Sequence, residues 1–472
     1  MDGNELIAQI LQKEGVEWLA GFPNNPLIEA AAKAGIRPIA FRHERGAVMA
    51  ADGFSRTSHR KRFGVVVVQS QAGAENALGG IAQSFADNIP ILVLPGGVDL
   101  SEIGVRPNYS VTQNYSGVVK RVEAIYHPDQ IPAVMRRAFS ALRNGASGPV
   151  VVELTGDVCS QSNAETIGGY TPPAMLRQAP DSTDIANAAG ALIRAERPML
   201  WAGSGVLFAG ATEELKTLAE LLGTPVFTTM GGKSAFDERH PLALGAGCGT
   251  TTGPAHHWIQ HCDLLLAIGS SLTRSPYAQQ IPNGPLLIQN TNNPDEIGKD
   301  ENINIGLAGD AKLTLQALID AVKGEIGDSP RDSKTTQKDI AQLRSDWLAE
   351  WTPLLESESL PLNTYRVIRE IDHNLDRENS IVTHDAGAPR DSIVPFYTAT
   401  TPHSYIGWGK TTHLGFGIPL MIGAKLAHPE KFCLNLMGDG AFGMSGMDIE
   451  TAVRSGVPIT TVLLNNGGMA TY

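Results

Sequence analysis

Cysteine is scarce: Cys159, Cys248, Cys262 and Cys433 are the only four in 472 residues, scattered and without a CxxC pair. That spacing excludes a disulfide framework and a cysteine-built structural zinc site, and it fits a reducing compartment, so the expected location is cytoplasmic. No apolar run nears the roughly 20 residues that a membrane span requires. The N-terminus is amphipathic and acid-containing, with no signal-peptide pattern. Positive charge is in deficit, since 37 Lys and Arg face 49 Asp and Glu for a net charge of −12. Nucleic acid and anionic membrane are therefore poor candidates for the main partner. The one basic cluster, His59 to Arg62, reads as a solvated loop before a strand. What is left is the composition of a soluble globular protein, long enough for about three domains at ~150 residues each.

The order of patterns along the chain gives the fold class. Short β-rich runs at Pro38–Phe41, Val65–Val68, Ile91–Leu94 and Val150–Leu154 alternate with helical stretches, and Trp18–Ala20 lead into a turn-rich loop. That alternation reads as a doubly wound parallel sheet over residues 1–162. A Ser-, Thr-, Pro- and Gly-rich linker follows over 163–183. A second α/β domain, 184–322, has strands at Met199–Ala202, Leu264–Ile268 and Leu286–Gln289. Gly203-Ser204-Gly205 after the first of these is weak as a nucleotide signal, because the motif asks for a third glycine and a later acid. His257 and His261 share a helix face at i, i+4, but no acidic ligand is near, and they read as an ordinary polar surface. Residues 323–362 are charged and interrupted by Pro330, Pro353 and Pro361, which reads as a second linker with a helix near Ile340–Trp351. A third domain, 363–472, starts with a helix through Ile368 and the strand Ile381–Thr383.

The C-terminal stretch carries the chemistry. An apolar run, Cys433 to Met437, stops at Gly438-Asp439-Gly440, and a second, Ile459 to Leu464, stops at Asn465-Asn466. Ser445 and Asp448 are spaced as a capping box opening a short helix between them, and Gly456 is placed to end it. Strand, helix, strand on this spacing makes the two strands parallel neighbours. Asp439 and Asn466 then stand at carboxyl ends, where open α/β sheets bind ligands. A carboxylate, an amide oxygen and exposed carbonyls are hard donors that suit Mg²⁺ or Ca²⁺. Glycines flanking Asp439 let a diphosphate approach the backbone. Glu44 likewise follows a strand, in the sequence RHERGAVMAADGFSR.

Gly-Asp-Gly, 24 residues, then Asn-Asn resembles the diphosphate-binding signature of thiamine diphosphate enzymes. The segment around Glu44 resembles the glutamate segment of their acetohydroxyacid (acetolactate) synthase branch. The resemblance implies three doubly wound α/β domains that bind the pyrimidine end, form the centre, and bind the diphosphate end. It implies Mg²⁺ held by Asp439, the Asn466 side chain and the Gly468 carbonyl, with Gly438 and Gly440 beside the diphosphate. Glu44, shielded from water, would hydrogen-bond the aminopyrimidine so that the cofactor's own nitrogen takes the proton from the thiazolium carbon C2. In GKTTHLGFGIP, Leu414 would wedge between the cofactor's two rings, with Thr412 beside it. Gly387 would contact the diphosphate; beyond it Ala388-Pro389-Arg390 replace the Gln and His of synthases, leaving Arg390 as the candidate contact.

The substrate side departs from the synthase pattern. Lys120 lines up with a synthase lysine, but Arg106 and Pro107 replace a Phe and a Gln. Gln71 stands in the loop that synthases write Gly-Pro-Gly, and Asn24-Asn25 replace a Gly-Gly pair. The implied reaction is decarboxylation of a 2-oxo acid followed by carboligation. A non-oxidative decarboxylase or an aldehyde or acyl lyase is the alternative, and from another class an inactive binding protein of the same fold. A homodimer or homotetramer with sites between subunits is implied. Some members bind FAD in the central domain, but Asn290-Thr291-Asn292-Asn293 stand where aspartates are usual, which speaks against FAD. The third domain of the family also runs past the Asn-Asn strand, so either a further C-terminal segment beyond Tyr472 or a shortened relative is expected.

Overall fold

Valine and leucine runs become strands buried on both faces, as parallel sheets covered by helices require. The computed structural model describes residues 1–59, 61–162 and 169–468. Arg60 of the basic cluster, residues 163–168 of the first linker and the last four residues lie outside that range.

Six strands form the first sheet: β1 (Trp18–Gly21), β2 (Arg37–Ala40), β3 (Gly64–Val68), β4 (Ile91–Pro95), β5 (Arg121–Ile125) and β6 (Val150–Leu154). Their order is β2-β1-β3-β4-β6-β5 and every pair is parallel. The chain winds outward from β1 to β2 and then back the other way from β3, so a switch point falls between β1 and β3. Val65, Val67, Leu92, Leu94, Val150 and Val152 from this sheet join Leu6, Ile10 and Met135 from its helices in one core. Each such side chain contributes about 1.5–3 kcal/mol by burial. The edge strand β5, with its mixed sequence RVEAI, was not marked by a hydrophobic run.

The central sheet repeats the plan with β7 (Pro198–Ala202), β8 (Val226–Thr229), β9 (Ala243–Gly247), β10 (Leu264–Ile268), β11 (Leu286–Thr291) and β12 (Ile305–Ala308). Its order is β12-β11-β10-β7-β8-β9, all parallel, with the switch point between β7 and β10. The sequence reading missed β8, β9 and β12, whose runs VFTT, ALGAG and IGLA are part polar or broken by glycine. Last come β13 (Ser380–His384) paired in parallel with β14 (Tyr405–Ile406), and β15 (Phe432–Gly438) paired in parallel with β16 (Thr460–Leu464).

Two compact units result: residues 1–176 with 411–470, and residues 177–410. Where the sequence suggests a boundary near 363, the chain's own contacts group 411–470 with the N-terminal sheet. Glycines make that grouping possible. A Cβ at Gly53, in the Glu44–Thr57 helix, would run into the Leu420 carbonyl oxygen, and one at Gly423 into that of Ala50. The two helix backbones therefore touch. In the other unit the expected second linker is mostly a docked helix, Lys334–Leu355, whose Trp347 stacks on Phe396 at 4.9 Å and whose Trp351 lies 4.8 Å from Tyr365. Arg62 of the basic cluster lies over the Phe54 ring and donates to the Ala427 carbonyl at 2.8 Å, so it serves the fold. Among the described residues no helix is long and apolar enough to cross a membrane.

Candidate active site

β2 ends at Ala40, and Phe41 continues its pairing by donating to the Gly21 carbonyl at 2.9 Å. The chain then turns. His43 caps the next helix, its Nδ1 accepting from the Arg45 N–H at 3.1 Å, and Glu44 is the first helical residue. An acid is favoured there by the helix dipole. Yet Glu44 is only 2% exposed, and a buried carboxyl needs partners. Asn76 supplies one, donating to Glu44 Oε2 at 3.1 Å from the Ala72–Ala86 helix. Oε1 faces the backbone at Gly73, where an added Cβ would lie 3.4 Å from it. Asn76 was not singled out from sequence, although a mid-helix Asn is a poor helix former and so a visible signal.

Three other candidates share this carboxyl edge. Gln71 follows β3 with a left-handed φ of 58°. Its Oε1 accepts from the Tyr109 N–H at 2.9 Å and its Nε2 donates to Asn108 Oδ1 at 3.4 Å. Asn24 follows β1, its Nδ2 3.4 Å from where a Cβ on Gly96 would be, and exposed Asn25 opens the next helix. Glu153, also unremarked in sequence, faces Gly97 near the end of β6. Burial pushes its carboxyl up to about 7, against a hydrogen bond from the Val111 backbone. An acid inside the run VVVEL was the available clue.

Lys120 is elsewhere. It precedes β5, at the amino edge of a parallel sheet, and its ammonium donates to the Ala141 carbonyl at 2.6 Å and to that of Asn144. It caps the C-terminus of the Ile131–Arg143 helix, where a cation is favoured.

On the diphosphate side, β15 and β16 pair with Gly438 opposite Leu464, so Asp439 and Asn465-Asn466 leave adjacent strands at the same edge. Asp439 opens the Asp439–Ser445 helix, with Gly440 next, and among the described residues its carboxylate has no hydrogen-bond or ion-pair partner. A Cβ on Gly438, Gly467 or Gly468 would meet nothing within 4 Å. Asn466 Oδ1 accepts from the Gly468 N–H at 3.3 Å, which turns the Gly467-Gly468 backbone around it. The open space and the oxygen donors fit a hydrated Mg²⁺ carrying a diphosphate. Among the described residues no group of three or more His, Cys, Asp or Glu is placed to hold a metal, which includes the His257–His261 pair, stacked at 4.4 Å.

The capping-box expectation fails. Ser445 ends a helix, and the next, Asp448–Arg454, begins without a side-chain cap. Asp448 is instead buried, accepting from the Arg42 N–H and from Thr451 Oγ1, each at 3.3 Å, and burial pushes its carboxyl up to about 6. Spacing matched the cap, but the tertiary contact with Arg42 claimed the carboxylate. Gly456 does follow the helix in a left-handed conformation, φ 64°. Arg42 also pairs with Glu450 at 2.6 Å, and Arg45 donates to the Met444 carbonyl at 2.9 Å. The residues flanking Glu44 are thus fastened to the segment that follows Asp439. Half-buried Thr412, φ 50°, and half-buried Leu414 precede the Gly417–Ala427 helix in the same unit.

In the other unit Gly387, φ 86°, leads into the Ala388–Phe396 helix. Arg390 there is 2% exposed, paired with Asp391 at 2.7 Å and stacked over the Tyr277 ring at 4.7 Å. The central glycines are also committed. The Gly203 N–H donates to the Ile268 carbonyl at 2.8 Å and that of Gly205 to Gly269 at 2.9 Å. Buried Asn290 donates to the Leu307 and Gly309 carbonyls and to Thr314 Oγ1, and accepts from the Gly269 N–H. These residues do not fit a dinucleotide's diphosphate and ribose.

Family models match in three blocks: "Thiamine pyrophosphate enzyme, N-terminal TPP binding domain" over residues 1–121, "central domain" over 185–318, and "C-terminal TPP binding domain" over 385–472. Among curated proteins, a probable acetolactate synthase large subunit of Methanocaldococcus jannaschii is 32% identical over 99% of this chain and 80% of its own length. That of Methanococcus aeolicus is 30% identical with the same coverage. The acetolactate synthase isozyme 3 large subunit of Escherichia coli is 29% identical over 99% of this chain and 82% of its own.

Proposed function

Because the chain belongs to the acetolactate synthase-like branch of the thiamine pyrophosphate enzyme family, we propose that its two strand-end clusters are the two halves of a thiamine diphosphate site, completed between subunits. In this reading the enzyme decarboxylates a 2-oxo acid and joins the product to a second carbonyl compound. The observation that carries the assignment is Glu44, a carboxyl buried to 2% exposure with one oxygen held by Asn76. Bound there, the cofactor supplies the electron sink for the bond being broken.

The protein's part follows from its side chains. Asn76 occupies Glu44 Oε2, which leaves Oε1 to carry the proton exchanged with the aminopyrimidine. Asp439, the Asn466 amide oxygen and the Gly468 carbonyl hold Mg²⁺, with Gly438 and Gly440 letting the diphosphate close to the backbone. Leu414 would sit as the wedge between the cofactor's two rings, and Thr412 lies in the same loop. Gly387 and Arg390 belong to the other unit, where the Arg390 guanidinium is paired with Asp391. Asn24, Asn25 and Gln71 border the substrate. The four cysteines, buried and free, support a reducing, cytoplasmic setting, and the family resemblance supports a homodimer or homotetramer, which light scattering would test.

A second reading, a non-carboligating decarboxylase or lyase, is favoured by Lys120, whose ammonium is engaged by helix carbonyls at the far edge of the sheet. One experiment separates the readings. The protein, loaded with thiamine diphosphate and Mg²⁺, is assayed for C2–H/D exchange and then given a panel of 2-oxo acids. Exchange that disappears in Glu44→Gln, with acetolactate formed from pyruvate, supports the carboligase. Aldehyde alone favours the second reading. Tight cofactor binding without exchange leaves an inactive binding protein.

A further inference from the structure

Glycine inside a helix is unfavourable relative to alanine, so each one asks for a reason. The Ala72–Ala86 helix contains Gly73, Gly79 and Gly80. Gly73 makes room for Gln69 and the Glu44 carboxyl, and Gly80 for Val48 of the neighbouring helix. Gly79 has a different neighbour. A Cβ there would lie 2.6 Å from His413 Nε2, 3.1 Å from Cε1 and 3.7 Å from Cδ2, and these three imidazole atoms are its nearest contacts.

His413 is the residue before Leu414. Two further bonds tie the same loop to the same helix: Gln83 Oε1 accepts from Thr411 Oγ1 at 2.6 Å and from the His413 N–H at 3.4 Å. Asn76, Gly79 and Gln83, at i, i+3 and i+7, share one helix face, and it is from this face that Asn76 reaches Glu44. The Gln83 amide is itself oriented, its Nε2 donating to Asp87 Oδ2 at 2.9 Å.

Resting on the role given to Leu414 above, we propose that His413 is a positioning residue. Its imidazole fills the notch at Gly79 and registers the Leu414 loop against the helix face that holds the Glu44 carboxyl. Burial first, and the Arg45 guanidinium second, hold the His413 imidazole below its usual range, while a hydrogen bond with the Leu414 backbone works the other way. A neutral ring is what packing against a helix backbone requires.

The test fills the notch. In Gly79→Ala the helix itself gains propensity, so a loss of function without a loss of thermal stability is not a folding defect. Two readouts are taken. In the cofactor-free protein, NMR titration of His413 should show a depressed pKa that returns toward the ordinary value in Gly79→Ala. In the protein loaded with thiamine diphosphate and Mg²⁺, C2–H/D exchange should fall by about 10- to 100-fold in Gly79→Ala while cofactor affinity stays within about twofold, as for a misplaced group near the chemistry. In a His413→Ala background the Gly79→Ala change should have no further effect, because the two act through one contact. Identical His413 titration in wild type and Gly79→Ala overturns the proposal, as does wild-type exchange in Gly79→Ala or simple additivity in the double variant. If the wild-type protein neither binds the cofactor nor exchanges C2–H, the functional reading falls and takes the Leu414 link with it. The cofactor-free titration still decides whether the imidazole occupies the notch.

Discussion

The N-terminal and central sheets have the same plan, six parallel strands wound in two directions from a switch point, yet they treat that point in opposite ways. Between β1 and β3 part of the polar chemistry stays uncommitted: the buried Glu44 carboxyl, after β2, has one oxygen not held by Asn76, although the Gln71 amide is taken at both ends by Tyr109 and Asn108. Between β7 and β10 the corresponding loops close on each other. The N–H groups of Gly203 and Gly205 are donated to Ile268 and Gly269, a Cβ at Gly203 would run into the Gly269 carbonyl oxygen, and Asn290 spends both ends of its amide inside the fold. A switch point is therefore a place where a ligand can bind, and loop chemistry decides whether one does.

The largest effect is expected from removing the metal donor that follows β15. Asp439→Ala should weaken Mg²⁺-dependent thiamine diphosphate binding by at least about a hundredfold, measured by titration calorimetry, because a single carboxylate is the only charged donor in the set. Retained affinity would move the metal elsewhere. Next in size, Glu44→Gln should slow C2–H/D exchange by about 10²- to 10⁴-fold with cofactor affinity nearly unchanged, the range for loss of an acid–base group. Together these two should leave stability close to wild type.

The closed sheet should respond in the reverse sense. Asn290→Asp places a carboxylate against the Leu307 and Gly309 carbonyl oxygens. It should cost about 3 kcal/mol of stability by chemical denaturation, while C2 exchange per folded molecule is unaffected and no FAD is taken up. FAD bound by the variant would show that the loops open more easily than their hydrogen bonds imply.

The smallest effect concerns pH. Glu153 and Asp448 have folded-state values raised to about 7 and about 6 from ordinary values of 4.5 and 3.8. An acid whose pKa rises on folding binds its proton more tightly in the folded state. Its contribution is full below the unfolded value and is lost as pH rises through the folded one. Each group should therefore lower stability by on the order of 1 kcal/mol between about pH 5 and about pH 8, with the partial exposure of Glu153 discounting its share. Glu153→Gln and Asp448→Asn should each flatten that slope in urea melts; an unchanged slope would mean that the carboxyls stay charged on folding.

Much of this was legible in one dimension because it rests on local pattern. Val65–Val68 and Leu264–Ile268 are β-rich runs that bury either face, and they are strands where expected. Glu44, Asp439 and Asn466 follow such runs directly, so their place at carboxyl ends needs only parallel pairing. The strands β5, β8, β9, β12 and β14 were lost because mixed, polar or glycine-broken runs such as RVEAI and ALGAG announce no period. Ser445 misled for a different reason. Its spacing allowed a cap, but the distant Arg42 backbone took the Asp448 carboxylate.

What the sequence alone determined is the set of elements and the residues at their ends, since propensity and hydrophobic period act between near neighbours. Which of those residues stay free for a ligand was decided only by tertiary structure. Asn76 reaches Glu44 from 32 positions away, and His413 meets Gly79 across more than two-thirds of the chain. Contacts of that kind depend on how helices and loops stack at a sheet's edge, and no local pattern encodes the stacking of segments so far apart.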